Sequence, residues 1–274
     1  MGCDGFLPGA RTPSNIKPLK ATTLSDPAPR GRIRVLQGAK RVRTYLAGHL
    51  VAETTHPLLV WEVPYYPSYY FPLGDVVAEL VANGATEHSP SRGDADLYDV
   101  KADGKIAERA ARRYRSSPIE QLRDCVKFEW NLMDEWMEED EPVYTHARDP
   151  GTRVDILGSS RQIRVVVDGI AVAESARPRA LFETGLPARW YLPLTDVRMD
   201  LLVPSETVTH CPYKGAATYW SLDVGGSHYE DFVWCYRAPL PESQKIAGLA
   251  CFYNEKVDLY VDGSLEERPR SKFS

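Results

Sequence analysis

The sequence predicts a mainly β protein made of two tandem copies of one small domain. Short runs in which apolar and polar residues alternate are separated by turns rich in Gly, Pro and Asp, as expected for strands with one buried face. The second half of the chain also repeats the first. The 43% hydrophobic content of 274 residues suffices for one large core or two smaller ones and excludes a long disordered chain.

Residues 43–76 align without a gap on residues 164–197 at a constant offset of 121, and twelve of these 34 positions are identical. Chance would give about two at average amino-acid usage. The identities include Gly48/Gly169, Glu62/Glu183, Tyr70/Tyr191, Pro72/Pro193 and Asp75/Asp196. One inserted residue moves the offset to 122, which lays His88 on His210, Arg92 on Lys214 and Tyr114 on Tyr236. At 124, Phe128 meets Phe252, Asp134 meets Asp258 and Trp136 meets Tyr260. The chain is a tandem duplication.

In order along the chain these are a Pro-rich basic arm (1–31), a first β domain (32–145), a linker (146–160), a second β domain (161–265) and a tail (266–274). Pro8, Pro13, Pro18, Pro27 and Pro29 deny the arm a hydrophobic period, so it reads as flexible or surface-wrapped. In the second copy, Asp168 and Gly169 tolerate positive φ and turn IRVVVDGIAVAES into a hairpin. A strand DVRMDLLV follows, HCPYKG turns into AATYWSLDV, Gly225 and Gly226 turn into SHYEDFVWCY, and KVDLYVDG closes the copy. Each copy thus has about eight strands and one short helix before the last strand. Ser117, Pro118 and Glu120 supply an N-cap, a first-turn proline and a capping-box acid for that helix in the first copy, and Pro241 and Glu242 stand at the matching place.

The 33 Lys and Arg against 38 Asp and Glu give a net charge of −5, too little positive field to recruit nucleic acid or an anionic membrane. The balance is uneven, with nine basic and two acidic residues before position 44. No apolar run approaches the length of a membrane helix and the N-terminus lacks a secretory h-region, so a soluble cytoplasmic protein is expected. Five scattered cysteines without a CxxC pair argue against a disulfide framework and a structural zinc site.

Three stretches could carry chemistry. If DVRMDLLV is a strand, Asp196, Arg198 and Asp200 share one face, with carboxylates close enough to split their proton affinities; a solvated polar face is the alternative. THCPYKG gathers His210, Cys211, Tyr213 and Lys214 about one proline turn, where His210 can shuttle a proton and Lys214 can bind an anion or form a Schiff base if desolvated. The first copy keeps the imidazole and the cation there, as His88 and Arg92; turn residues that simply hold a hairpin are the alternative. WEVPYYPSYYFP and its counterpart FETGLPARWYLP supply Trp61, Tyr66, Tyr70, Trp190 and Tyr191, together with Glu62 and Glu183, either as a pocket wall or as core and inter-repeat seam. The acidic run MDEWMEEDE (133–141) is expected to be solvated. No dinucleotide fingerprint, P-loop, nucleophile elbow or zinc-protease motif is present.

From about residue 32 to 265 the chain resembles the family catalogued as domain of unknown function 427, in its two-copy form. The matching stretches are LLVWEVPYYPSYYFP, DEWMEEDEPVYTHARDP, RVDILGSSRQIRV, FETGLPARWYLP, TDVRMDLLVPSETVTHCPYKGAATYWS and FYNEKVDLYVDG. The resemblance implies a compact β-tent or pseudobarrel domain in each repeat. Other β-tent families bind zinc through two CxxC pairs, which this sequence lacks, so no metal site is carried over. The family label sometimes carries the word nucleotidyltransferase, and the chain has none of the phosphate-binding or metal–carboxylate patterns which that chemistry needs.

The expected function is a cofactor-independent, metal-independent enzyme acting on a small organic molecule by acid/base chemistry, as an isomerase, cyclase, lyase or hydrolase. Its site is expected in the second repeat or between repeats. Asp200 or His210 would be the base, Lys214 or Arg198 would stabilise an oxyanion, and Asp196 and Glu183 complete the polar set. Tyr213, Trp190, Tyr191, Trp61, Tyr66, Tyr70, His88 and Arg92 would contact the ligand. The alternative is a non-catalytic module that binds a small ligand or a protein in an aromatic pocket. The partner is then a small molecule, not nucleic acid or membrane, with a homodimer left open.

Overall fold

The computed structural model describes residues 33–271, so the basic arm (1–31) and the last residues of the tail lie outside the described residues. The first unit contains β1 (Arg34–Gln37), β2 (Val42–Leu46), β3 (His49–Thr54), β4 (Leu58–Val63), β5 (Tyr66–Pro72), β6 (Glu79–Ser89), β7 (Gly93–Ala102), β8 (Lys105–Arg113), β9 (Cys125–Phe128), β10 (Glu135–Glu138) and β11 (Glu141–Pro142). The second contains β12 (Val154–Gly158), β13 (Ile163–Val167), β14 (Ile170–Ser175), β15 (Arg179–Glu183), β16 (Arg189–Leu192), β17 (Leu202–Cys211), β18 (Gly215–Val224), β19 (Ser227–Cys235), β20 (Ala250–Phe252), β21 (Asp258–Val261) and β22 (Ser264–Leu265).

The duplication is topological as well as sequential. A seven-stranded antiparallel sheet of order β1-β4-β5-β9-β8-β7-β6 recurs as β12-β15-β16-β20-β19-β18-β17, and a four-stranded sheet β11-β10-β2-β3 recurs as β22-β21-β13-β14. The irregularities recur too. Bulges fall between Thr44 and Tyr45 and between Val165 and Val166, and lone bridges join Ala52 to Val76 and Ala173 to Val197. No barrel is closed in either unit.

Strand alternation gives the seven-stranded sheet two covered faces. In β4, Leu59 and Trp61 enter a large cluster between the two sheets with Val42, Val51, Phe71, Phe128 and Trp136. The opposite face carries Val60, Tyr70, Ala95, Tyr114 and Cys125, covered by Leu122. The second unit repeats the pair of clusters, with Trp190, Trp220 and Phe252 between the sheets and Ile156, Leu181, Tyr191, Trp234 and Cys251 on the other face.

Several expectations need correction. DVRMDLLV is not a strand: 3-10 turns span Leu194–Asp196 and Met199–Leu201, and strand β17 begins at Leu202. Here the chain leaves β16, is pinned against the edge of the small sheet by the Arg198 N–H on the Val172 carbonyl at 2.9 Å, and returns to the same large sheet as its outer strand β17. The expected helix is a 3-10 turn in each copy, Glu120–Leu122 and Pro241–Ile246, and three strands follow it rather than one. Ser117 caps no helix; its Oγ accepts from the Ile119 N–H at 3.1 Å within the preceding turn. The acidic run is solvated only in part: Asp134, Glu135, Glu139, Asp140 and Glu141 are exposed, whereas Trp136 and Glu138 of β10 point inward. Glu138 is tolerated there because Lys40 Nζ lies 2.6 Å away and the Tyr69 hydroxyl donates to it.

The stretch read as a linker is also structured. Within it Ala147 belongs to the first unit's core and β12 is the outer strand of the second unit's large sheet; Val143, just before it, joins the same core, so residues 143–153 form a strap between the units. None of the described helices is long and apolar enough to cross a membrane. Val143 is 4% exposed, so Val143→Ala should lower the unfolding free energy of the full chain by about 2 kcal/mol through two lost methyl groups and their cavity. Urea denaturation measures this, and a change indistinguishable from zero would mean that the strap does not belong to the first core.

Candidate functional site

The face opposite the large core holds the same polar feature in both units. Alternation along β4 puts Glu62 on the side of Leu58 and Val60, and alternation along β15 puts Glu183 on the side of Leu181. The hairpin turn between β6 and β7 then brings Arg92 to Glu62, and the turn between β17 and β18 brings Lys214 to Glu183. A duplicated carboxylate–cation pair therefore lies beside a duplicated buried tyrosine, Tyr70 or Tyr191.

In the first unit this centre is strongly charged. The Tyr70 hydroxyl donates to Glu62 Oε1 at 2.7 Å, and Lys127 Nζ donates to Oε2 at 2.9 Å. Arg92 also donates from Nε to Ser89 Oγ at 3.1 Å and lies 5.1 Å from the Tyr114 ring. Arg112 links Glu87 at 2.7 Å to Glu129, so the network runs out toward solvent.

The second unit replaces that network with rings. Lys127 lies opposite Tyr70 and beside Arg112; the equivalent places hold Cys251, opposite Tyr191, and Trp234. Trp234 Nε1 donates to the Tyr191 hydroxyl at 3.1 Å, and the Tyr253 ring lies 4.5 Å from the indole. Thr209 Oγ1 and the Tyr219 hydroxyl are 2.8 Å apart. Arg189 forms a two-pronged pair with Glu255, both bonds 2.7 Å. Lys214 and Glu183 are each only 9% exposed at the side chain.

Burial sets the protonation states. It opposes the charge on Lys214, but Cys211 and Glu183 outweigh it and hold the ammonium above its ordinary pKa. Lys214 therefore rests as a cation rather than as a free amine, contrary to the Schiff-base reading. Burial pushes Cys251 up to about 12 and Cys125 up to about 11, and it raises the phenols of Tyr191, Tyr236 and Tyr253. These groups are hydrogen-bond donors at neutral pH, not nucleophiles.

The structure brings together Glu183, Lys214 and Tyr191 from the predicted set, and Tyr70 with Arg92 in the first unit. The remainder lie elsewhere. Arg198 and Asp200 pair with each other in the open at 2.6 Å, and Asp196 binds Ser175 Oγ at 2.8 Å and Arg177 at 3.1 Å. His210 is exposed, its ring 5.5 Å from Tyr144, and His88 is exposed beside Asp94 at 2.6 Å. Tyr213 accepts from the Asp149 N–H at 2.8 Å, Tyr66 stacks 4.0 Å from His146, and Trp61 donates to Asp149 at 2.9 Å, so these three fasten the strap. Trp190 is core. Sequence reading missed Lys127, Arg112, Trp234, Cys251 and Tyr253; the signal was that they occupy matching places of the two copies with different chemistry. Among the described residues no cluster of three or more His, Cys, Asp or Glu is arranged to hold a metal.

Burial alone would raise the Glu62 carboxyl, but Lys127, Arg92 and Tyr70 outweigh it and hold its pKa below 4.5. A depressed carboxyl adds stability that is fully present above its unfolded pKa and is lost as pH falls through the folded one. Glu62→Gln should therefore cost about 3 kcal/mol at neutral pH by leaving buried cations unmatched, and the deficit should shrink as pH drops below 4.5. Denaturation at pH 7 and at pH 3 tests this; a deficit that does not change with pH would remove Glu62 from the ion pair.

Comparison with known proteins agrees with the two-unit architecture. No curated protein sequence matches the chain. The family described as a domain of unknown function (DUF427) matches residues 34–139 and 155–263, one match in each structural unit. With the two matches together spanning well over half its length, the chain belongs to the domain of unknown function 427 family as a two-copy member.

Proposed function

We propose that the chain is an enzyme that takes a small organic molecule onto the second unit's sheet face and works on it by acid–base chemistry, with Lys214 and Glu183 at the centre. The observation that carries this reading is a buried ion pair on a sheet face whose cluster also holds the donors Tyr219, Tyr236 and Trp234, with Tyr253 packed against it, where an aliphatic core would serve stability better. A substrate oxygen that displaces Glu183 from Lys214 gains a fixed ammonium to stabilise developing negative charge. The displaced carboxylate becomes free to accept a proton from the adjacent carbon. Proton transfer next to a carbonyl, as in isomerisation or elimination, is the class of reaction this pair fits. His210, Asp196, Arg198 and Asp200 have no part in it. Four free thiols among the described residues, Cys125, Cys211, Cys235 and Cys251, support a reducing compartment such as the cytoplasm.

One observation favours a second reading, a module that binds without turnover: the resolved shifts at the site leave phenols and thiols protonated, so donors outnumber bases. One experiment separates the two. Purified protein is incubated with a deproteinised cell extract and followed by untargeted mass spectrometry. The enzyme reading expects a compound to be consumed and a product to form, with Lys214→Met and Glu183→Gln each slowing turnover by about a hundredfold. The paired variant Lys214→Met/Glu183→Leu should keep the fold while remaining inactive, because it removes both charges together. A compound retained by the protein without product supports the binding module. Unchanged turnover in Lys214→Met rejects the proposed centre.

A further inference from the structure

The second unit has a cavity of about 590 Å³ beside the start of β15, lined by Gly158, Ser159, Ser160, Arg177, Arg179 and, on its apolar side, Leu249. Its charge is local and positive in a chain of net charge −5. Arg177 gives Nε and Nη2 to Asp196, at 3.3 Å and 3.1 Å, and Nη2 also to Thr195 at 3.1 Å. Arg179 is exposed, and its guanidinium has no ion-pair or hydrogen-bond partner among the described residues. It folds across Gly158, where an added Cβ would lie 2.5 Å from Nη1, so a glycine at this position makes room for it. Ser159 Oγ accepts from the Arg161 N–H at 3.2 Å, which leaves its own hydroxyl hydrogen to donate.

The first unit provides an internal control. The same turn is closed there by the Gly38 N–H on the Pro57 carbonyl at 2.7 Å, as Ser159 on Pro178 at 3.0 Å closes it in the second. Likewise the His56 N–H binds Thr54 Oγ1 at 3.0 Å where the Arg177 N–H binds Ser175 Oγ at 3.2 Å. On this shared backbone, Gln37, Gly38, Ala39, His56 and Leu58 are replaced by Gly158, Ser159, Ser160, Arg177 and Arg179. The second copy alone has gained two guanidiniums, two hydroxyls and the space between them. Folding does not require these groups, because the first unit makes the turn without them.

We propose that this cavity binds the phosphoryl group of a phosphorylated small molecule. The free Arg179 fork matches the tetrahedral oxygens of a phosphate, Arg177 adds positive charge beside it, and serine hydroxyls complete such a site. The volume is in the range of small-molecule pockets and well beyond one phosphate ion, so the rest of the ligand lies along Leu249 and Pro193. Asp196 does not cancel the site, since Ser175, Thr195 and Arg177 already engage it and Arg179 remains in excess. Arg179 and Glu183 share one face of β15 about 13 Å apart, so this site is separate from the Lys214 centre and does not depend on the acid–base reading.

Calorimetric titration of the full chain tests it with four probes: glycerol 3-phosphate, inorganic phosphate, glycerol and succinate. Glycerol 3-phosphate should bind with a Kd of about 1 mM or tighter and glycerol should not bind. Arg179→Leu, the residue that the first copy carries, should weaken glycerol 3-phosphate by about tenfold or more without lowering Tm, and His56→Ala should leave it unchanged. The proposal is overturned if glycerol 3-phosphate fails to bind, if it binds Arg179→Leu as well as the parent, or if succinate binds more tightly. Binding of inorganic phosphate without the ester also overturns it, since the cavity would then hold only the bare ion.

Discussion

A carboxylate buried on a sheet face has to be met by a cation, and in each unit one such cation comes from the far side of the sheet. Glu62 and Glu183 stand on the second strand of their sheets, whereas Arg92 and Lys214 sit in the hairpin turn joining the last two. Four strand spacings of about 4.8 Å separate these places in a flat sheet, more than the two side chains reach together. The hairpin end must therefore curl over the face. Glycine closes each turn, with φ of 85° at Gly93 and 93° at Gly215, a conformation that side chains with a Cβ resist. The ion pair, the curl and the glycine are one constraint, and Tyr70, Tyr191 and the small clusters are organised around it.

With that constraint duplicated, the surrounding residues were free to diverge. The first copy surrounds its carboxylate with Lys127, Arg92 and the outlying Arg112, a network that satisfies charge and opens to water. The second pairs its carboxylate with the buried Lys214 on a face that also carries Tyr219, Trp234, Tyr236 and Tyr253, and burial there strengthens the remaining electrostatic interaction. One backbone thus carries a charge network suited to holding the fold and an aromatic centre suited to holding a ligand.

Much of this was legible in the sequence because it depends on local rules. Asp168 and Gly169 do take positive φ, at 49° and 76°, and form the expected hairpin. The identities Glu62/Glu183 and Tyr70/Tyr191 mark both centres. What was not legible depends on tertiary geometry. The alternation in DVRMDLLV fits a strand, yet the chain must turn two corners there to pass from β16 to the outer strand of the same sheet, and such turns leave no periodic mark. Glu138 lies in a run of acids that reads as solvated until Lys40, from the turn before β2, and Tyr69, from β5, arrive beside it. Arg179 looks like any surface arginine, and only the missing partner and the glycine opposite single it out.

The polar turn THCPYKG shows how the strap between units bears on the site. Alternation along β17 puts Thr209 and Cys211 on the inner face and His210 on the outer one. The outer groups are then taken up by the strap: the His210 carbonyl accepts from Thr145 Oγ1 at 3.0 Å, and the Tyr213 hydroxyl accepts from Asp149 at 2.8 Å. Tyr66 and Trp61 tie the same strap to the first unit. The His210 carbonyl and the Tyr213 phenol are thereby spent on joining the two halves, and Lys214, the next residue after Tyr213, is left to turn inward toward Glu183. A change in the strap would therefore move the turn that carries Lys214, which makes the covalent tandem arrangement part of the second unit's site rather than a mere tether between two independent domains.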